Sequence, residues 1–578
     1  MIQKKASVAG WMGAWSAAVI RLIAAGLLLT GCQGDSGSGA ASGPQDVAAK
    51  SFQYPASDYF EAGPGKRGGV LRVSVSSDTN SLDMHAISHT NAQWLGRLMY
   101  DNLVYLNDKG EPTPWLARSW DISPDGKTYT FHLRDDVTFS DGAKFNAEAV
   151  RLNLEHMRDP ATKSPLAAAY IAPYINGEVL DDYTFRAHLR EPYAPFLDVL
   201  AQSWLAMLSP RQIKENPRQI AELPAGSGPF VVQSYTRQQG IRLVRRDDYA
   251  WAPDFLRHEG AAYLERIDID FVPDAVIRYT SLSAGQYDLT IDAPTQNAAA
   301  IRNDARLLFD SRIRKGNPNR GITFNTEKFP FDDVNVRRAF ALAVDREGIV
   351  RISGFGEYQP KSDYLAANTR YYDASFVKAL QFAPDEANRL LDEAGWKERD
   401  AQGYRVKNGQ QLAADVLVSG AVSLADIVAI QSDVKKVGFD LNIVQLPLAQ
   451  ISDRRRDNDY QALGAGVWHT NTADGLYILY HSNEIISPKR IGQNTARLRD
   501  DKLDGLLAEA RRSHDPATAT ATALYSQAQQ RLTELVPAVP LYENYSLTAR
   551  DKKVRGVVFD TSHNTVVFTS LWLEQGGS

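Results

Sequence analysis

The sequence predicts an α/β protein built from several lobes, and three observations carry that reading. The chain has 578 residues, enough for two to four domains at about 150 residues each. Its second half alternates segments of helical and strand period. The stretch over residues 100–200 is instead rich in hairpins and reads as α+β.

In chain order, Gly68-Gly69-Val70-Leu71-Arg72-Val73-Ser74-Val75 alternates apolar and polar residues in the two-residue period of a half-buried strand. Two alternating runs around Pro124-Asp125-Gly126, the second being Thr128–Leu133, make a hairpin. Asn146 then caps a helix, with Glu148 in its first turn and Val150, Leu154 and Met157 on one face. Asp333 precedes Val336, Ala339, Phe340, Ala343 and Val344, which have helical spacing. Ala387, Leu390, Leu391 and Ala394 repeat the pattern between Pro384, a helix starter, and Gly395, a stop. A helix through Ile427, Val434 and Val437 breaks at Gly438 and gives way to the strand Phe439–Val444. Helices over Asp501–Arg512 and Ala519–Leu535 lead to a last apolar strand around Val539–Tyr542.

Composition removes several functional classes. There are 64 Lys+Arg against 69 Asp+Glu, a net charge of −5, and a pI near 6.1. A nucleic-acid binder would show a basic stripe, so none is expected as a partner. Cys32 is the only cysteine, which excludes an internal disulfide framework and a cysteine-built metal cluster. A mean hydropathy of −0.34 excludes a polytopic membrane protein.

The N-terminus carries an address. Lys4, Lys5 and Arg21 precede the apolar run Leu22–Leu29, too short to span a bilayer core of about 30 Å permanently, so residues 1–31 read as a cleaved signal peptide. Leu29-Thr30-Gly31-Cys32 resembles the bacterial lipoprotein box, which implies lipidation of Cys32. Residues 32–65, opening with the Gly- and Ser-rich run Gly34–Gly43, read as a flexible tether. A body on such a tether works outside the cytoplasm, in the periplasm or at the cell surface. Gln33 after the cysteine favours the outer membrane in a Gram-negative cell, whereas in a Gram-positive cell the anchor would sit in the single plasma membrane.

Catalytic signatures are missing. The sequence contains no phosphate-binding loop of the Gly-x-x-x-x-Gly-Lys type, no Gly-x-Ser-x-Gly elbow and no His-Glu-x-x-His helix. His85 and His89 stand four apart and could share a helical face as metal ligands. The sequence reading assigns no acidic third ligand to that helical face, so neither metal nor cofactor is expected. An enzyme is not expected either, and a cell-surface hydrolase is the remote alternative.

Several separated segments resemble one family, the extracellular solute-binding proteins of family 5, which serve ABC importers of peptides, nickel chelates and opines. They are Gly68–Val73 with Ser81-Leu82-Asp83, Tyr100–Val104, Pro114–Trp120, Asp125–Arg134, Phe139–Gly142, Gly226-Ser227-Gly228-Pro229-Phe230, Phe324-Asn325-Thr326 and Phe331–Ala339. Each is weak alone, but the ordered set is specific. The resemblance implies a type II periplasmic-binding-protein fold: two main lobes plus an inserted third lobe (Ia, Ib, II), joined by a two-strand hinge. It places lobe Ia in residues 66–90, 214–318 and 539–578, lobe Ib in 91–213 and lobe II in 319–538, with hinge crossings near Gly316–Asn325 and Pro540–Ser546. It implies a monomeric receptor that captures an oligopeptide or peptide-like solute between closing lobes and delivers it to a membrane permease. An opine, a sugar conjugate or a metal chelate is the alternative ligand.

The same resemblance nominates a pocket. In peptide-binding members a Gly-Trp-x-x-Asp-Tyr segment supplies an aspartate for the peptide's ammonium. The matching stretch here is Gly466–Gly475, with Trp468 as an aromatic wall and Asn471 at the aspartate position. A buried ammonium favours a carboxylate over an amide, so Asn471 weakens the match and Asp474 offers a substitute. Asp78 and Asn80 after the first strand, Tyr170 and Asn325 complete the expected ligand-binding set.

Overall fold

A computed structural model describes residues 65–256, 258–420, 422–465, 472–487, 492–513 and 519–574. Cys32, Trp468 and Asn471 lie outside these residues. Three sheets organise the body. The largest has seven strands in the order Leu307–Ile313, Tyr545–Asp551, Leu289–Ile291, Val70–Val75, Arg266–Phe271, Gly240–Arg245 and Phe230–Thr236. Val70–Val75 pairs in parallel with a neighbour on either side, and Leu71, Val73 and Val75 are fully buried. Its alternation therefore marks a strand central to the sheet and covered on its apolar face.

The second sheet runs Asp440–Gln445, Ala413–Val418, Ala462–Ala465, Gly321–Phe324 and Ala538–Val539. Phe324, Phe331, Phe340 and Phe439 stack in its core with ring centroids 4.4–5.8 Å apart, in the offset and edge-on contacts aromatic rings favour. A third sheet of four strands, Ala117–Ile122, Thr128–Leu133, Thr184–Leu189 and Tyr174–Asp181, is antiparallel throughout. It is the hairpin insertion the sequence predicts, turning at Pro124-Asp125-Gly126.

Helices start and stop where their caps direct. The Asn146 side chain accepts the Ala149 amide at 3.0 Å and opens the helix Ala147–Arg158. Asp333 caps Val334–Leu342, and Pro384 opens Pro384–Glu393. Each satisfies first-turn N–H groups that have no partner within the helix, or supplies a residue that needs none. Gly226 and Gly228 are glycines for lack of space: a Cβ at either would come within 1.9 Å of the Met99 carbonyl oxygen or 2.4 Å of its carbon.

The chain passes from the first sheet to the second between Ile313 and Gly321 and returns between Val539 and Tyr545. These two crossings bond to each other. Arg314 N–H donates to the Asn544 carbonyl at 2.7 Å, Asn319 N–H to Tyr542 at 3.0 Å, and Leu541 N–H back to Asn319 at 2.9 Å. The result is a two-stranded hinge between two lobes, the type II arrangement expected from the resemblance. The sequence reading ends the strands at Val539–Tyr542, but the longer strand is Tyr545–Asp551, whose return places it between Leu289–Ile291 and Leu307–Ile313 in the first sheet. Its polar positions Thr548 and Arg550 are buried in the sheet, which breaks the apolar pattern a sequence scan looks for.

Candidate ligand-binding cleft

A cavity of about 340 Å³ opens between the hairpin insertion and the helical part of the second lobe. The insertion contributes Trp120, Tyr129, Leu197 and Asp198; the opposite wall is Arg370, Tyr371, Thr472, Asp474 and Tyr525. Asp198 sits in the first turn of the short helix Phe196–Leu200, and Asp474 immediately precedes the helix Gly475–Tyr480.

Asp474 is held on both sides of the cleft. Its carboxylate accepts two bonds from Arg511, at 2.9 and 3.0 Å, and a third from the Tyr193 hydroxyl at 3.2 Å. Arg511 lies in the last turn of the helix Asp501–Arg512. Its guanidinium lies 4.8 Å from the Tyr193 ring centroid and 3.7 Å from that of Tyr477, and its carbonyl accepts the Ala194 amide at 2.9 Å. Tyr193 and Ala194 belong to the insertion, so this cluster latches the two walls together. A carboxylate with a bidentate guanidinium has its charge matched within the protein.

Asp198 differs. Burial, with Asp474 adding, pushes its carboxyl up to about 7 against the opposing charges of Arg370 and Lys315. Burial also lowers Lys315, to about 8. The cavity therefore holds a carboxylate that gains from an added cation and an arginine on the facing wall, between aromatic side chains. Such a lining suits a small solute that carries both charges.

Most of the nominated residues serve the framework. Asp78 accepts the Tyr235 hydroxyl at 2.8 and 2.9 Å and the Gln238 amide at 2.9 Å. Asn80, in the left-handed region at φ 61, accepts Gln238 Nε2 at 2.7 Å. Asn325 is fully buried and donates to Asn458 Oδ1 and the Tyr460 carbonyl, both at 2.8 Å, closing the turn after its strand. Tyr170 is buried in the first core rather than lining the cavity, and its hydroxyl has no hydrogen-bond partner among the described residues. Of the set, Asp474 alone among the described residues lines this cavity. His85 and His89 do not share a helical face. His85 is in the single turn Met84–Ala86, whereas His89 precedes the next helix with its Nε2 3.3 Å from Ser77 Oγ.

Arg511, Tyr193, Asp198 and Arg370 were not singled out by the sequence. Only Asp198 left a trace, a lone acid inside the apolar run Phe196-Leu197-Asp198-Val199-Leu200.

Residues 111–485 match the model of the bacterial extracellular solute-binding proteins, family 5 (middle). Over 493 residues the chain is 26% identical to the glutathione-binding protein GsiB of Shigella dysenteriae, covering 84% of this chain and 91% of that protein. It also resembles DppA of Helicobacter pylori, an ABC transporter-associated periplasmic binding protein solved with the peptide STSA. The TM-score is 0.72 at 26% identity, over 88% of this chain and 99% of that one. NikA of Brucella suis, solved with Fe(III)-EDTA, gives a TM-score of 0.76 at 25% identity, over 88% and 100%. With its hinge, its cleft between lobes and a family match over more than half its length, the chain belongs to family 5 of the bacterial extracellular solute-binding proteins, the receptors of ABC importers.

Proposed function

We propose that this chain is a lipid-anchored receptor, held outside the cytoplasm through Cys32, that captures a short peptide or peptide-like solute. The lobes close on the solute about the two crossings, and the monomer then hands it to the ABC permease. The supporting observation is the cavity itself. Its volume of about 340 Å³ lies at the small end of ligand pockets, which run from about 300 to 1,000 Å³. Asp198 and Arg370 line it with opposite charges, and Tyr129, Tyr371 and Tyr525 supply apolar faces. GsiB and DppA, named above for glutathione and a tetrapeptide, take solutes of this chemistry. No helix among the described residues is long and apolar enough to cross a membrane.

Thermal unfolding with a panel of probes tests the reading. Glutathione and unmodified di- and tripeptides should raise the melting temperature by mass action, and N-acetylated or C-amidated versions should raise it less. A rise with an opine or a metal chelate and none with any peptide would overturn it.

A further inference from the structure

Asp83, His85 and His156, none of which lines the cavity, form a buried group. His85 lies in the turn Met84–Ala86, whose N-cap is Asp83; Asp83 Oδ1 accepts the His85 amide at 3.0 Å. His156 is in the last turn of the helix Ala147–Arg158, in the hairpin insertion. The two imidazoles meet with Nδ1 atoms 2.9 Å apart.

The neighbours dictate where the ring protons sit. His85 Nε2 is 2.8 Å from the Ala206 carbonyl oxygen, an acceptor only, so Nε2 carries the proton and Nδ1 presents a lone pair. His156 Nε2 is 3.8 Å from Asp83 Oδ2. A proton on that nitrogen faces the carboxylate and leaves a second bare Nδ1 opposite the first. A proton on Nδ1 instead turns a lone pair toward a carboxylate oxygen. Each neutral arrangement sets two acceptors against each other in a buried place, where that conflict is costly. A second proton on His156 removes it, and so does a metal ion among the three side chains, whose ligand atoms the fold already gathers.

We propose that Asp83, His85 and His156 bind a divalent first-row transition ion of the zinc type. The ligands are His85 Nδ1, an imidazole nitrogen of His156 and a carboxylate oxygen of Asp83. Ligand atoms of all three lie within 4.8 Å of one another. Tetrahedral zinc, with Zn–N of about 2.0–2.1 Å, sets neighbouring nitrogens roughly 3.3 Å apart, so with His156 bound through Nδ1 the two nitrogens, now 2.9 Å apart, part by only a few tenths of an ångström. Two neutral imidazoles and one carboxylate suit zinc, nickel or copper better than magnesium or calcium. The Ala206 carbonyl already fixes the outer nitrogen of His85, as the second neighbour of a metal-bound histidine does. His85 is sealed, but the side chains of Asp83 and His156 each keep 9% exposure, which gives an ion its approach. Bound there, the ion ties the loop after Val70–Val75 to the helix of the insertion.

The test uses the mature protein, stripped with a chelator and titrated with zinc chloride by calorimetry and thermal unfolding. One zinc per chain is expected, with a melting rise of about 2–3 °C at hundredfold excess over Kd, reversed by EDTA. His156→Leu and Asp83→Asn should each lose both effects, and His89→Ala should keep them. Asparagine also caps a turn, so Asp83→Asn preserves the fold if His156→Leu does not. Cobalt loaded in place of zinc should show visible absorption in the wild type that Asp83→Asn lacks. Absence of zinc binding, or one zinc that survives both substitutions, overturns the proposal.

Discussion

Tyr193→Phe isolates the latch across the cleft. The substitution deletes one hydroxyl and keeps the ring against Phe196 and Arg511. What is lost is the bond to Asp474 Oδ2 at 3.2 Å, made to a carboxylate that stays paired with Arg511. A hydrogen bond to a charged group contributes about 1.5–3 kcal/mol, and the length of this one places it at the lower end. Because the bond joins the two walls, about 1.5 kcal/mol is subtracted from the closed arrangement alone. That moves the opening equilibrium by roughly tenfold. The Ala194 amide reads the change directly, since its acceptor is the Arg511 carbonyl across the cleft. Hydrogen exchange of the solute-free protein should show Ala194 protection falling about tenfold in Tyr193→Phe, with amides of the seven-stranded sheet unchanged. Unaltered protection at Ala194 would refute the latch. So would an equal loss throughout the insertion, which would mean that the hydroxyl holds the insertion's own fold.

Other residues give further tests. With its carboxyl at about 7, Asp198 should make binding of an ammonium-bearing solute about tenfold weaker at pH 6 than at pH 8; calorimetry on Asp198→Asn should lose that dependence, and a retained slope would place the ammonium elsewhere. Lys361 is buried between Asp363 at 2.9 Å and Glu543 at 3.1 Å, so Lys361→Met strands two carboxylates beside a hinge crossing. A loss of about 3–5 kcal/mol is expected in urea unfolding, and a loss below 1 kcal/mol would contradict the pairing. Asp101 is fully buried, and burial raises its carboxyl to about 6 against the bonds from Ser227, Trp251 and Tyr249. A folded value above the ordinary carboxylate range means that the native state holds the proton more tightly. Its contribution is therefore complete below about pH 4 and lost as pH rises through 6, by roughly 3 kcal/mol in all. Asp101→Asn should flatten that part of the stability profile, and an unchanged profile would contradict the assignment.

The framework was legible where sequence and backbone share one cause. Asn146, Asp333 and Pro384 start helices because the first turn needs a cap, and that need is local. The segments that resemble the family are likewise scaffold. Asp101 accepts the Trp251 indole N–H at 2.9 Å, Asn102 donates to the Leu200 and Gln202 carbonyls, and Gly226 and Gly228 clear the backbone at Met99. They identify the fold without identifying the solute. The cleft was largely illegible, because its chemistry comes from pairs far apart in the chain. Asp474 resembles a free anchor until Arg511, on another helix, and Tyr193, on another lobe, are brought to it. Asp198 becomes a site residue only when the second lobe covers it. His156 has no partner in sequence, and its distance from Asp83 and His85 disappears only when the insertion packs against the loop after the first strand.

Native mass spectrometry of the body from Gln33, purified without denaturation, tests the central claim most directly, because a closed cleft retains its solute. A small molecule, released on denaturation and carrying both an amino and a carboxyl group, is the predicted result. It should be lost from the protein when Asp198→Asn and Tyr193→Phe are combined. A retained solute without an ionisable amine, or one held equally by the double variant, would contradict the account of the cleft.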